Sequence, residues 1–121
     1  MRLFALRGAI SVEEDDADQI LVATERLMRE IIDRNGLTPE NMVSCIFTTT
    51  PDLTAQFPAV AARNLGLSSV PLLCAQEIAV PGALPRIIRV LVHHYADEGH
   101  EAKHVYLDEA RALRLDLAGA Q

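Results

Sequence analysis

The chain has 121 residues, 50% of them hydrophobic and 23% charged, with a formal net charge of −6. This length predicts one compact domain over residues 1–121, with a tail at 117–121 and no room for a linker and a second domain. Seventeen acidic against 11 basic residues argue against a general nucleic-acid binder, and two cysteines, Cys45 and Cys74, form neither a disulfide framework nor a zinc-ligand pattern.

The first predicted elements are a strand and a helix. Residues 2–12 are apolar and partly β-branched, and Gly8 within them indicates a bulge or a close backbone approach. Asp16 and Gln19 predict a capped helix start, and Asn35-Gly36 predicts its end. Apolar positions repeat at intervals of three and four, which predicts a buried helical face made of Ile20, Thr24, Leu27, Met28 and Ile31.

The middle of the chain predicts a short helical turn at 38–40 and a second, β-branched strand at 42–50. Pro58 fits the first position of a second helix, which ends at Gly66. The apolar side of that helix comprises Ala59, Ala61, Ala62 and Leu65.

The last third predicts strands at 69–78, 86–95 and 104–107, with a turn at 81–83 and a polar loop at 96–103. A short helix is predicted from Asp108 to Leu115. Because strands and helices alternate loosely, the fold class is α/β or α+β: a single domain with one mixed β-sheet and flanking helices.

Several common motifs are missing: GxGxxG, GxxxxGK[ST], HExxH and GxSxG do not occur. His100 and His104 stand four apart in a loop, whereas His93 and His94 are neighbours on a strand and point to opposite faces. These patterns favour solvated or hydrogen-bonded core histidines over metal ligands. No signal peptide or run of about 18–20 apolar residues is present, so we expect a soluble, cytoplasmic protein with no membrane partner.

Three charged residues in apolar segments are the strongest local signals of a site. Arg7 and Arg89 lie inside predicted strands, and an arginine cannot shed its charge, so each needs solvent, a carboxylate or an anionic ligand. Glu77 likewise needs a hydrogen bond or a positive partner, whereas Arg63 on the second helix is simply expected to be exposed. Together they indicate a site for a small molecule that carries carboxylates and a hydroxyl.

The order and spacing of six short segments closely resemble the monofunctional AroH-class chorismate mutases, from residue 5 to about residue 117. The segments are Arg7-Gly8-Ala9, Thr50-Pro51-Asp52-Leu53, Phe57-Pro58-Ala59 with Arg63, Val70-Pro71 through Cys74-Ala75-Gln76-Glu77, Ile88-Arg89-Val90, and His104-Val105-Tyr106-Leu107. The resemblance implies an isomerase that converts chorismate to prephenate for phenylalanine and tyrosine synthesis. It also implies a homotrimer, a pseudo-α/β-barrel assembly with active sites between subunits, that needs no metal or cofactor.

The resemblance further implies a role for each site residue. Arg89 would donate to the ether oxygen, Glu77 would accept from the ring hydroxyl, and Arg7 would bind a carboxylate. The other residues expected to contact the substrate or line the pocket are Tyr106, Arg63, Cys74, Phe57, Ala59, Leu73, Leu113 and Arg114. Val60 and Leu73 depart from relatives that carry a lysine and a threonine there, which puts substrate affinity and the tuning of Glu77 in question.

Two alternatives remain open. A trimeric imine or enamine deaminase would use Glu77 to activate water, and its rate would follow the titration of that carboxylate. A non-catalytic trimer would bind the metabolite without converting it.

Overall fold

The structure, a computed structural model, describes residues 1–113, and a five-stranded mixed sheet dominates them. The strands are β1 (Arg2–Ser11), β2 (Met42–Thr49), β3 (Leu72–Gln76), β4 (Ile87–Ala96) and β5 (Val105–Leu107). The helices are α1 (Ala17–Asn35) and α2 (Ala59–Asn64), with 3-10 turns at Pro39–Asn41 and Asp108–Ala112. The predicted mixed-sheet fold class is confirmed, whereas the expected tail at 117–121 lies outside the described residues.

The strand order is β3-β2-β4-β1-β5, which places β4 at the centre. β4 runs antiparallel to both β1 and β2, and the two outer strands, β3 and β5, run parallel to their neighbours. This order brings residues from both ends of the chain side by side: Gly8 of β1 pairs with Val105 of β5.

Helix α1 begins and ends where the sequence predicts. The Asp16 carboxylate accepts the Gln19 backbone N–H at 3.0 Å, which satisfies one of the free donors of the first turn. Gly36 ends the helix in the left-handed conformation, at φ 61°. The five residues of the predicted helical face are all fully buried, which confirms the periodicity.

Both helices pack on one face of the sheet, and alternation along the strands decides which side chains they cover. The covered face holds Leu6, Ile10, Cys45, Phe47, Ile88, Val90 and Val92. Gly8 belongs to this face, and a Cβ atom there would lie 2.6 Å from Ile31 Cδ1 and 3.3 Å from the Val105 carbonyl oxygen. The predicted close backbone approach at Gly8 is therefore confirmed. The alternative prediction, a bulge, is wrong, since β1 and β4 pair without interruption.

The opposite face of the sheet, called the open face below, carries no helix among the described residues. The 3-10 turn Asp108–Ala112 covers only one end of it, where Ala110 packs with Ala9 and Ile87. The remaining positions are half-buried or exposed: Leu3, Ala5, Arg7, Ser44, Ile46, Thr48, Arg89, Leu91, His93 and Tyr95. Within the described residues this face is therefore poorly covered, and it mixes apolar side chains with polar and charged ones.

Several predicted boundaries were wrong. The third strand covers Leu72–Gln76 instead of 69–78, because Pro71 has no N–H for the ladder. Glu77 thus lies one residue beyond the strand. Pro58 is the cap of α2 and not its first residue, Ala96 still belongs to β4, and the segment after β5 is a 3-10 turn.

Two further predictions concern cysteines and histidines. Cys45 and Cys74 are free, and burial raises the pKa of the Cys45 thiol to about 12. His94 is fully buried against Phe4 and His100, yet neither of its ring nitrogens has a hydrogen-bond partner within residues 1–113, contrary to the satisfied core histidine expected. Neither helix of the described chain is long and apolar enough to cross a membrane.

Candidate active site

A cleft of about 280 Å³ opens on the open face between β1, β2, β4 and β5. We call it the arginine cleft, because Arg7 of β1 and Arg89 of β4 both line it. Its other lining residues are Gly8, Ala9, Ile46, Thr48, Val90, Leu91, Tyr106 and Leu113. The fold therefore brings together Arg7, Arg89, Tyr106 and Leu113, four of the residues predicted from the sequence.

Glu77 contacts two lining residues of the arginine cleft without lining it itself. Its Oε2 atom accepts Arg89 Nε at 3.1 Å and the Thr48 hydroxyl at 2.7 Å. The side chains of Arg89 and Glu77 are only 34% and 19% exposed, so the ion pair is partly shielded from solvent. The backbone N–H of Glu77 donates to the Thr49 carbonyl at 2.8 Å, which extends the β2–β3 pairing and fixes the start of the side chain.

Arg7 is anchored through its backbone. Its N–H donates to His104 Nδ1 at 2.9 Å, so the imidazole completes the pairing of β1 just before β5 begins at Val105. Nδ1 can accept this bond only in a neutral ring. Partial burial, and to a smaller extent the charge of Arg7, lower the pKa of His104 and so favour the neutral form.

Tyr106 reaches the arginine cleft from the neighbouring strand. It pairs with Ala9 across β1 and β5, and its ring packs beside the small cluster of Ala9, Ile87 and Ala110. Two arginines and a phenol thus line one cavity with apolar walls, and the Glu77 carboxylate lies beside one of these arginines. This combination suits a small anion that also carries a hydroxyl group.

A second cleft of about 380 Å³, called the Phe57 cleft below, lies at the start of α2 and beside β3. It contains two further predicted site residues, Phe57 and Cys74. Its other lining residues are Thr49, Leu53, Thr54, Ala55, Gln56, Pro58, Ala75 and Gln76. Phe57 is 66% exposed, which is unusual for a phenylalanine unless a ligand or another chain covers it.

The two clefts lie on opposite faces of the sheet. Thr48 lines the arginine cleft and Thr49 lines the Phe57 cleft, and consecutive strand residues point to opposite faces. A small substrate in the arginine cleft of one chain is therefore separated from the Phe57 cleft of the same chain by β2. One copy alone does not unite the predicted site residues.

The remaining predicted residues line neither cleft. Ala59 is buried in the main core, Arg63 is exposed on α2 as expected, and Leu73 is 60% exposed on β3. Val60, one of the two departures noted above, is half-buried on α2. Arg114 lies outside the described residues.

Thr48 and Ile46 line the arginine cleft but were missed from the sequence. The signal was present, because Ile46 and Thr48 alternate with the buried residues Cys45 and Phe47 along β2. It was not decisive, since a β-branched residue on a half-buried strand face is ordinary. Only the β2–β4 register, which pairs Thr48 with Arg89, shows that this threonine belongs to the site.

The described residues contain no cluster of three or more histidine, cysteine or acidic side chains that would hold a metal ion. What they offer chemically is fixed positive charge and a phenol in one cavity, with a partly shielded carboxylate acceptor beside it. Such a set binds and orients an anion and stabilises negative charge that develops during a reaction.

Comparison with known proteins gives a consistent result. The family model of chorismate mutase type I matches residues 3–117. The chain is 49% identical over 118 residues to chorismate mutase AroH of Thermus thermophilus, covering 96% of this chain and 97% of that one. It is 41% identical over 120 residues to chorismate mutase AroH of Bacillus subtilis, covering 98% and 94%. A solved chorismate mutase from Clostridium thermocellum superposes with a TM-score of 0.88 at 46% identity, covering 91% of this chain and 99% of that structure.

Proposed function

The chain belongs to the chorismate mutase type I family, and from that premise we propose that it converts chorismate to prephenate at a site shared between neighbouring copies. The enzyme is an isomerase: one C–O bond breaks and one C–C bond forms within a single molecule. The product leads to phenylalanine and tyrosine, and we place the reaction in the cytoplasm. The observation that carries the proposal is the geometry of the arginine cleft. Arg89 and Arg7 line the same cavity, and Arg89 forms an ion pair with Glu77.

The chemistry requires no proton transfer and no covalent nucleophile. A flexible dianion must be held in the compact conformation in which its reacting carbons meet, and such positioning recovers several kcal/mol of the barrier. Negative charge builds up on the ether oxygen as the C–O bond breaks, so a fixed positive charge beside that atom lowers the barrier further.

Arg89 is the residue best placed to supply that charge. Its Nε donates to Glu77, which fixes the plane of the guanidinium, while its two Nη groups carry the remaining N–H donors. Arg89 is two-thirds buried, so its charge is less screened than a surface charge. We assign Arg89 to the ether oxygen. The negative charge on this atom is largest in the transition state, so a hydrogen bond to it raises kcat.

The other residues of the arginine cleft hold the substrate. Arg7 and Tyr106 bind a carboxylate, since a guanidinium and a phenol both donate hydrogen bonds and both line the cavity. Glu77 accepts the ring hydroxyl, and Leu113 contributes an apolar wall. These assignments are the ones that the family resemblance implies, and the donor or acceptor that each residue presents is compatible with them.

The Phe57 cleft completes the site from a second copy, and three copies form the enzyme. Two observations support assembly: the open face is poorly covered, and β2 separates the Phe57 cleft from the arginine cleft of the same chain. The apolar side chains of Leu73 on β3 and of Ile78 and Val80 just after it, all at least 59% exposed, lie at the sheet edge and suit burial between subunits. In the assembly Phe57 and Cys74 of one subunit, together with Arg63, face the arginine cleft of the next.

The direct test is the loss of chorismate absorbance with purified protein, with prephenate identified as the product. Rapid loss that disappears in Arg89→Ala supports the proposal. Tight binding of chorismate without turnover would instead indicate a non-catalytic binding protein, and release of ammonia from imine substrates would indicate a deaminase.

A further inference from the structure

We propose that Thr48 is a positioning residue for the rearrangement: its hydroxyl holds Glu77 so that the second carboxylate oxygen points to the substrate hydroxyl. The inference rests on the function proposed above and deepens it. It starts from the register of the sheet, in which Thr48 of β2 stands between Arg89 of β4 and Ala75 of β3.

The two hydrogen bonds that described residues donate to the Glu77 carboxylate converge on the same oxygen. Thr48 Oγ1 donates to Oε2 at 2.7 Å and Arg89 Nε donates to Oε2 at 3.1 Å. Oε1 takes part in neither bond. Two donors on one oxygen fix the rotation of the carboxylate about its last bond, so Oε1 has one direction in which to accept a hydroxyl.

Arg89 alone would not achieve this orientation. A single donor leaves a carboxylate free to turn and present either oxygen to the guanidinium, including a two-point contact that would occupy both oxygens. The short hydrogen bond from Thr48 to Oε2 favours the contact in which only this oxygen accepts from Arg89. As a result, Glu77 can accept from Arg89 through Oε2 and from the substrate hydroxyl through Oε1.

The fold itself does not require a hydroxyl at this position. Thr48 lies on the half-buried open face, where valine has the same shape and an equally high strand preference. The neighbouring residue on the same face, Ile46, is purely apolar. The hydroxyl is therefore explained by its contact with Glu77 and not by strand formation.

The test compares Thr48→Val, which removes only the hydroxyl, with Thr48→Ser, which keeps it. We expect Thr48→Val to lower kcat/KM for chorismate about 10- to 50-fold, the equivalent of one hydrogen bond to a charged group. We expect Thr48→Ser to stay within about threefold of the wild type, and both variants to keep the wild-type melting temperature to within a few degrees. In a Glu77→Gln background the effect of Thr48→Val should shrink, because the two residues act through one contact.

A binding experiment separates orientation from general damage to the cleft. The probes are two rigid bicyclic ether dicarboxylates that mimic the cyclic transition state, one with the secondary hydroxyl and one without it. Thr48→Val should weaken the hydroxylated probe about tenfold or more and leave the affinity for the other unchanged. Equal loss for both probes, or no loss for either, would overturn the role of Thr48. If the wild type itself neither converts nor binds chorismate, the proposed function fails and this inference falls with it.

Discussion

Glu77 and Arg89 form an ion pair across an intervening strand. Arg89 lies on the central strand β4 and Glu77 follows the outer strand β3, with β2 between them, yet Nε and Oε2 are 3.1 Å apart. The contact is possible because both side chains project from the open face and Thr48 bridges the gap. The orientation of the partly buried Arg89 is thus fixed by Glu77, which belongs to a different part of the sheet.

Removing Arg89 should abolish most of the catalysis. We expect Arg89→Ala to cost about 4–7 kcal/mol of transition-state stabilisation, which lowers kcat by roughly a thousandfold to a hundred-thousandfold. The loss should appear mainly in kcat, since the charge that Arg89 meets exists mainly in the transition state. Steady-state kinetics provide the measurement. Arg29→Ala, which breaks an exposed pair with Glu25 on α1, is the matched control and should keep full activity. Near-normal turnover in Arg89→Ala would refute the assignment.

The rate should depend little on pH around neutrality. A rearrangement moves no proton in its chemical step, so kcat should stay within about twofold between roughly pH 7 and pH 9. A hydrolase that used Glu77 to activate water would instead follow the protonation of that group. The pH profiles of the wild type and Glu77→Gln decide between these reactions. A steep ionisation in the wild type that vanishes in Glu77→Gln would favour hydrolysis.

Two inactive variants should restore each other if neighbouring copies share the site. Arg89→Ala disables the arginine cleft, and Phe57→Asp places a negative charge in the Phe57 cleft, where it repels a dianion. Phe57 is 66% exposed in the single chain, so the second substitution should not prevent folding. After the two variants are unfolded together and refolded at equal amounts, about a quarter of the shared sites combine two intact halves. Activity near a quarter of the wild type is therefore expected. A mixture no more active than its separate components would place the whole site in one chain.

The sequence predicted most of the elements because their signals are local. The caps at Asp16 and Gly36 and the buried face of α1 each depend on residues a few positions apart. The end of β3 and the partner of Glu77 were not predictable in this way, since they depend on which strand lies next to which. The resemblance named Arg7 and Arg89, but the separation of the predicted site residues into two clefts on opposite faces follows from the alternation of Thr48 and Thr49 in the folded sheet.

Substituting Gly8 should destabilise the fold. A methyl group at Gly8 would meet Ile31 Cδ1 at 2.6 Å and Leu27 Cδ1 at 3.2 Å, so these buried side chains would have to repack between α1 and β1. We expect Gly8→Ala to lower the free energy of unfolding by about 1–3 kcal/mol, the usual cost of overpacking a core. Thermal or denaturant unfolding measures it. Gly99→Ala is the control, because its Cβ would meet no atom within 4 Å. Equal stability of both variants would contradict the close packing of β1 on α1.

Stability should fall as the solution is acidified below about pH 6.5, the ordinary pKa of histidine. Burial lowers the pKa of His94 in the folded chain; the backbone of Tyr95 offsets part of this effect, and the charges of His100 and His93 add to it. As the pH falls, His94 therefore takes up a proton in the unfolded chain before it does so in the folded chain. Its contribution to the free energy of unfolding is present above about pH 6.5 and is lost below it. One such histidine contributes a slope of at most about 1.4 kcal/mol per pH unit and chain. His94→Leu should flatten the curve of unfolding free energy against pH. An unchanged slope would mean that other groups cause the acid sensitivity.

The pairing of β1 with β5 also determines when this sheet can form during synthesis. β1 precedes its two partners, β4 and β5, along the chain and so leaves the ribosome before them, and Gly8 pairs with Val105. Until those strands emerge, an apolar strand has both edges unpaired and is open to contacts with other nascent chains. Among the strand pairs of the described residues, only β2–β3 has its partners close in sequence and can form early. Chains on neighbouring ribosomes of one message would therefore meet with β1 exposed, and the segment Leu3–Ile10 would be a target for a chaperone that binds short apolar segments.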